Sequence, residues 1–206
     1  MPIILLIRHG ETDFVGKRLS GHLPGIHLNT VGRRQADELA QNLKRAPIRA
    51  IYSSPLERAL ETALPLSQIT GIPIKIDQRL SEIDFGTWQG KTIKQMHHLK
   101  LWKVVIEKPS KMRFPGGESF TGAKQRLVAV IEEIKNAHAE TDLVAVFSHS
   151  DSINLLVSHF LNMALDDFHR ISIDTASISV VWLGKGQPTI RHLNLMASMR
   201  IEWPSH

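Results

Sequence analysis

The chain has 206 residues, 42% hydrophobic and 22% charged, enough apolar mass for one soluble α/β core, with no run near the roughly 20 apolar residues of a membrane span. A formal charge of +5 suits an anionic substrate, but the basic residues are scattered and no nucleic-acid-binding motif accompanies them. Cysteine is absent, which excludes disulfides, thiolate catalysis and cysteine-ligated zinc.

Residues 3–7 (Ile-Ile-Leu-Leu-Ile) form a β-branched-rich apolar run, which predicts a strand buried on both faces. The run is short, lacks a basic lead-in and continues into Arg8-His9-Gly10. It is therefore expected to be neither signal peptide nor anchor, and a cytoplasmic location is the expectation. Thr30 is the expected N-cap of a helix carrying Ala36, Leu39, Ala40 and Leu43, ended by Pro47. Residues 50–52 read as a second strand. Ser53-Ser54-Pro55 then predicts a cap and a first-turn proline for a helix through about Ile69, with Gly71 just past its end. Residues 72–76 read as an edge strand because of Pro73.

Residues 83–120, interrupted by glycine and proline, predict only a short helical segment over 93–106. Beyond them the pattern gives a helix over 120–138, a buried strand over 143–147 and a helix over 151–161. Strands over 178–183 and 190–193, joined by Gly184-Lys185-Gly186, close the chain. Apolar strands alternating with amphipathic helices indicate one α/β unit around a largely parallel sheet.

The strand at 3–7 ends in Arg8-His9-Gly10, and the strand at 143–147 ends in Ser148-His149-Ser150. Ligands of open α/β sheets bind beyond the carboxyl ends of the strands, where both histidines fall. Neighbouring parallel strands would bring the two imidazoles side by side. Arg58 lies in the first turn of the helix after the second strand, an end that already favours anions, and Arg8 supplies a second guanidinium. Each residue alone has an ordinary reading as a loop or surface side chain. Together they describe a pocket for a phosphoryl group, in which positioning and charge neutralisation are the main demands on the protein. No carboxylate cluster suggests a metal, and His97-His98 are adjacent without a carboxylate at zinc-type spacing, so neither metal nor cofactor is expected.

Arg8-His9-Gly10-Glu11-Thr12 resembles the opening block of the histidine phosphatase superfamily, which includes cofactor-dependent phosphoglycerate mutases and many phosphatases. Ser53-Ser54-Pro55-Leu56-Glu57-Arg58-Ala59 with Thr62-Ala63, Leu80-Ser81-Glu82-Ile83-Asp84-Phe85-Gly86-Thr87-Trp88-Gln89-Gly90, and Phe147-Ser148-His149 are similar to its later blocks, in order. Pro115-Gly116-Gly117-Glu118-Ser119 is similar to a segment of its phosphatase branch. The resemblance implies a three-layer sandwich with a mostly parallel central sheet flanked by helices, as in phosphoglycerate mutases. It implies a single domain over 1–206 with a lid-like insertion at about 91–119. His9 would be the phosphorylated nucleophile, with Arg8, Arg58 and His149 holding the phosphoryl oxygens. Glu82 would be the proton donor and later the base, with Asp84 ranked behind it. Ser20, Gly21 and Ser150 are the further substrate-lining candidates.

The chemistry agrees with those roles. Two arginines beside His9 would keep it neutral and nucleophilic, and its other ring nitrogen should donate to a backbone carbonyl. Two departures bear on the substrate: Phe14-Val15 replaces a Trp-Asn pair, making that side of the pocket more apolar, and Gly25 stands where an aspartate is common. The expected activity is hydrolysis of a small phosphorylated metabolite. A mutase-type phosphoryl-transfer isomerase and a catalytically dead phospho-ligand binder are the alternatives. Lys94, Lys100, Lys103, Lys108, Lys111 and Arg113 form either a basic lid for a second anionic group or a solvated face. Ile93, Met96, Trp102, Val105 and Ile106 form the lid's underside, a homodimer contact or a membrane-surface face.

Overall fold

Residues 2–184 and 186–196 are described by the computed structural model. Six strands, β1 (Ile3–Arg8), β2 (Ile48–Ser53), β3 (Ile74–Ile76), β4 (Leu143–Ser148), β5 (Ile178–Trp182) and β6 (Thr189–Leu195), form one sheet in the order β3-β2-β4-β1-β5-β6. The pairs β1–β4, β2–β4 and β2–β3 are parallel, and β1–β5 and β5–β6 are antiparallel. The sheet is thus mostly parallel, as expected.

Strand periodicity divides the core into two halves. Ile4 and Leu6 of β1, with Val144 and Val146 of β4, face one layer, built from α5 (Phe120–Asn136) and α6 (Ser150–Phe160). Leu5 and Ile7, with Ala145 and Phe147, face the other, built from α1 (Thr30–Leu43) and α2 (Glu57–Thr70). The two central strands are covered on both sides, which explains their unbroken apolar runs. Each helix turns one stripe inward: Ala36, Leu39, Ala40 and Leu43 on α1, and Ala123, Leu127, Val130, Ile131 and Ile134 on α5. Side-chain caps fix two starts, Asn29 accepting from the Gly32 amide and Ser119 from the Gly122 amide.

Several expectations shift. Asn29 caps α1, and Thr30 is the first helical residue. Pro55 lies outside α2, which begins at Glu57 with no side-chain cap; the Ser54 hydroxyl is used at the site described below. Gly71 does terminate α2 in the left-handed conformation. β3 is at the sheet edge but begins after Pro73. The helical stretch predicted over 93–106 divides into α3 (Ile93–His97) and α4 (Trp102–Glu107), separated by a turn. This segment sends Met96, Val105, Met112 and Phe114 into the core on the α5–α6 side. The predicted Gly184-Lys185-Gly186 turn includes Lys185, which lies outside the described residues, as does the final stretch 197–206 of the expected domain. Among the described residues no helix is long and apolar enough to cross a membrane.

α1 approaches the loop after β1 closely. A Cβ on Gly32 would stand 2.1 Å from the Glu11 carbonyl oxygen, and one on Gly10 would stand 2.7 Å from the Gly32 oxygen. Alanine is the better helix former, yet here backbone would have to move. Gly32→Ala should therefore destabilise the fold by about 1–3 kcal/mol, read as a lowered midpoint in urea. An unchanged or raised midpoint would contradict the close packing.

Candidate active site

The register Ile7↔Phe147 and Arg8↔Ser148 aligns the ends of β1 and β4 and delivers His9 and His149 together. Their ring centroids are 5.2 Å apart. The His9 Nδ1–H donates to its neighbour, the Gly10 carbonyl, at 2.7 Å, leaving the lone pair on Nε2. The Ser54 hydroxyl, already an acceptor from the Leu56 amide, has Nε2 of His149 at 2.8 Å as the acceptor for its own proton. That assignment puts the His149 proton on Nδ1, a buried donor with no partner in the protein.

Both rings are held neutral. Burial pushes the His9 pKa well below its ordinary value, and the Arg58 and Arg8 charges push the same way. Burial dominates for His149 too, followed by Arg58. His9 is thus held neutral, with desolvation contributing more than the arginines.

Arg58 enters from the first turn of α2 and is 0% exposed. Burial brings its pKa down to about 10, so it keeps its charge at neutral pH. One nitrogen donates to the Gly21 carbonyl at 2.8 Å, while Nε and the other terminal nitrogen have no partner. Arg8 donates to the Ile173 carbonyl and leaves Nε unpartnered. Thr62 ties the layers by accepting from the Gly10 amide and donating to the Arg58 carbonyl. Of the five buried side-chain polar atoms without a partner among the described residues, four belong to Arg8, Arg58 and His149. Buried donors of this kind are costly unless an acceptor arrives, and a phosphoryl group offers several.

Glu82 reaches the site from the opposite layer. Its carboxylate accepts from the Ser152 amide and hydroxyl at 3.2 and 3.1 Å and from the Asp151 amide at 3.4 Å, all in the first turn of α6. Arg126 on α5 fixes the peptide behind it by donating to the carbonyls of Arg79, Ser81 and Glu82. Arg126 is itself paired with Glu118, whose carboxylate also accepts from the Asp84 amide. Gly117 makes this crossing possible, because a Cβ there would stand 2.3 Å from the Asp84 carbonyl oxygen. Asp84, the second-ranked acid, instead accepts from the Gly86 amide and does not line the cavity beside His9.

That cavity, about 130 Å³, is bounded by Arg8, His9, Glu82, Ser20 and Ser150, with Phe14 and Val15 forming an apolar wall as expected. Arg58 and His149 lie beneath, fully buried. Gly21 is not among the walls of this cavity, and its carbonyl accepts from the Arg58 guanidinium. A larger cleft of about 390 Å³ between α1 and α2 contains none of these residues. Sequence reasoning missed Asp151, Ser54, Thr62 and Arg126. Asp151 lines the cavity, and burial together with the neighbouring Glu82 raises its pKa to about 7. Its position two residues after His149 was the available signal.

A family model described as the histidine phosphatase superfamily (branch 1) matches residues 4–196. The chain is 32% identical over 199 residues to phosphoserine phosphatase 1 of Hydrogenobacter thermophilus, spanning 95% of this chain and 93% of that protein. It is 31% identical over 184 residues to the 2,3-bisphosphoglycerate-dependent phosphoglycerate mutase of Thermoplasma acidophilum, spanning 88% and 87%. Among solved structures, a phosphoserine phosphatase from Entamoeba histolytica in complex with 3-phosphoglyceric acid matches with a TM-score of 0.84 at 27% identity, covering 94% of this chain and 97% of that one.

The ring protons of His9 and His149 should hold their chemical shifts between about pH 6 and pH 8, where an ordinary histidine titrates. The exposed His27, whose pKa is raised by its hydrogen bond to Glu61, should instead protonate above the ordinary value. A titration of His9 near pH 6.5 would contradict the buried, cationic setting described.

Proposed function

Because the chain belongs to the histidine phosphatase superfamily (branch 1), we propose that it is a metal-independent phosphomonoesterase acting through a phosphohistidine on His9. The observation that carries this reading is the 5.2 Å His9–His149 pair above buried arginine nitrogens that lack acceptors. In the first step Nε2 of His9 attacks phosphorus and the ester P–O bond breaks, with Glu82 giving its proton to the departing alkoxide. Arg8, Arg58 and the Nδ1–H of His149 bind the three equatorial oxygens, supplying charge at fixed positions. The Gly10 carbonyl receives more positive density through Nδ1–H as the imidazole becomes bonded to phosphorus.

In the second step the Glu82 carboxylate takes a proton from water, the oxygen attacks phosphorus and the P–N bond breaks. Phosphate leaves with His9 in its original tautomer and Glu82 protonated again. Ser20 and Ser150 sit on the cavity wall, where they meet the substrate. The segment over 91–119 acts as the cover of the site. The substrate is a small phosphorylated metabolite. A mutase shares the first step, and one relative carries that name, but it must return the phosphoryl group to a bound acceptor. The phosphatase names among the relatives favour water as acceptor here.

The purified protein should hydrolyse p-nitrophenyl phosphate in EDTA, and His9→Ala should abolish both turnover and acid-labile phosphate labelling. Arg58→Ala should lower kcat/KM by about 10²–10³. A requirement for added divalent metal, or full turnover by His9→Ala, would defeat the mechanism.

A further inference from the structure

Beside the phosphate cavity lies a second chamber of about 220 Å³. Leu19, Phe85 and Asp151 are walls of both, so the two spaces are immediate neighbours. Its lining is apolar: Trp88, Met96, Trp102, Val105 and Phe114 contribute with Phe85. The wall is stiffened by edge-to-face rings, Phe85–Phe114 at 4.9 Å and Trp88–Phe114 at 5.4 Å. Four of the five apolar residues that the sequence left open among lid, dimer and membrane roles, Met96, Trp102, Val105 and the exposed Ile106, therefore line this chamber.

Resting on the phosphatase reading, we propose that this chamber holds the alcohol part of the substrate, making the enzyme selective for phosphomonoesters of apolar alcohols. An apolar cavity of about 150 Å³ accommodates a benzene ring, so the volume here suits a substituted ring or a medium alkyl chain. The polar groups at its edge argue against an anionic leaving group. Asp151 stands beside Glu82 at the junction with Arg8 as the cation near both, and a substrate carboxylate there would be a third acidic group for that one guanidinium. His169 donates to the Val105 carbonyl and is held neutral by burial, so it supplies no compensating charge. The lid cations do not help: Lys94, Lys100, Lys103, Lys108, Lys111 and Arg113 are all exposed and line neither chamber. Lys103 and Lys108 are paired with Glu107 and Asp166. Arg18, on the rim of the phosphate cavity, donates to the Gly90 carbonyl and is no part of the apolar wall.

The test is kcat/KM for ethyl, butyl and hexyl phosphate, whose leaving alcohols have similar acidity, with phosphoserine and p-nitrophenyl phosphate as references. The wild-type value should rise roughly two- to fourfold per added methylene, the upper figure corresponding to full burial. Phosphoserine should fall below butyl phosphate. Val105→Phe, which narrows the chamber without touching the phosphate site, should lower the hexyl-to-ethyl ratio by about tenfold or more. Trp102→Ala, which removes a wall, should flatten the chain-length dependence. Ratios taken within one protein cancel any loss of folded material. Hydrolysis of p-nitrophenyl phosphate with a flat alkyl series, with phosphoserine preferred, or with a ratio unmoved by Val105→Phe would overturn the substrate class alone. Inertness toward every ester would overturn the phosphatase reading and this inference with it.

Discussion

The parallel pairing of β1 with β4 is the constraint on which the site depends. A parallel ladder aligns carboxyl ends, and the register Arg8↔Ser148 places His9 and His149 one residue beyond the same point. A slip of one residue would turn every side chain of β1 to the opposite layer, exchanging Ile4 and Leu6 with Leu5 and Ile7 between two cores that are already filled. The geometry of the imidazole pair is thereby protected by packing of aliphatic residues several ångströms away. β2 extends the same logic, since Ser53↔Phe147 brings the Ser54 hydroxyl to the His149 ring and starts α2 where Arg58 can turn inward.

Burying two guanidinium groups beside two imidazoles works against the stability of the ligand-free protein. The Gly21 and Ile173 carbonyls offset part of that cost, each taking one N–H, but leave other nitrogens without acceptors. The same arrangement keeps His9 unprotonated, as the proposed attack requires. In the proposed reaction a phosphoryl dianion would satisfy the orphaned donors, turning the cost of burying them into complementarity once substrate is in place.

Much of this was legible in the sequence because it rests on short, uniform signals. The runs at 3–7 and 143–147 are apolar at every position, which only strands covered on both faces allow, and the histidines follow them directly. The helix start at 57 was less legible: Ser53-Ser54-Pro55 has the composition of a cap, while the Ser54 hydroxyl is spent on His149. Asp151 was concealed by an ordinary role, since an acid in the first turn of a helix is expected from the helix dipole alone. Arg126 was concealed by its long stem, which lets a residue on an amphipathic helix reach three carbonyls of a distant loop. The segment over 91–119 was hardest because α3 and α4 have five and six residues, too few turns for periodicity to speak. Met96 and Val105 carry the same apolar pattern whether they fill a core or border a chamber.

The two helical layers contribute different halves of the apparatus. α2, on one side of the sheet, brings Arg58, while α5 and α6, on the other, set Glu82 through Arg126 and the amides of Asp151 and Ser152. Neither layer holds both. Under the proposed mechanism, a nascent or damaged chain with only one side docked would grip its ligand without cleaving it, or present an acid with nothing to protonate. On that reading turnover certifies assembly of the whole molecule, and incompletely folded copies are silent.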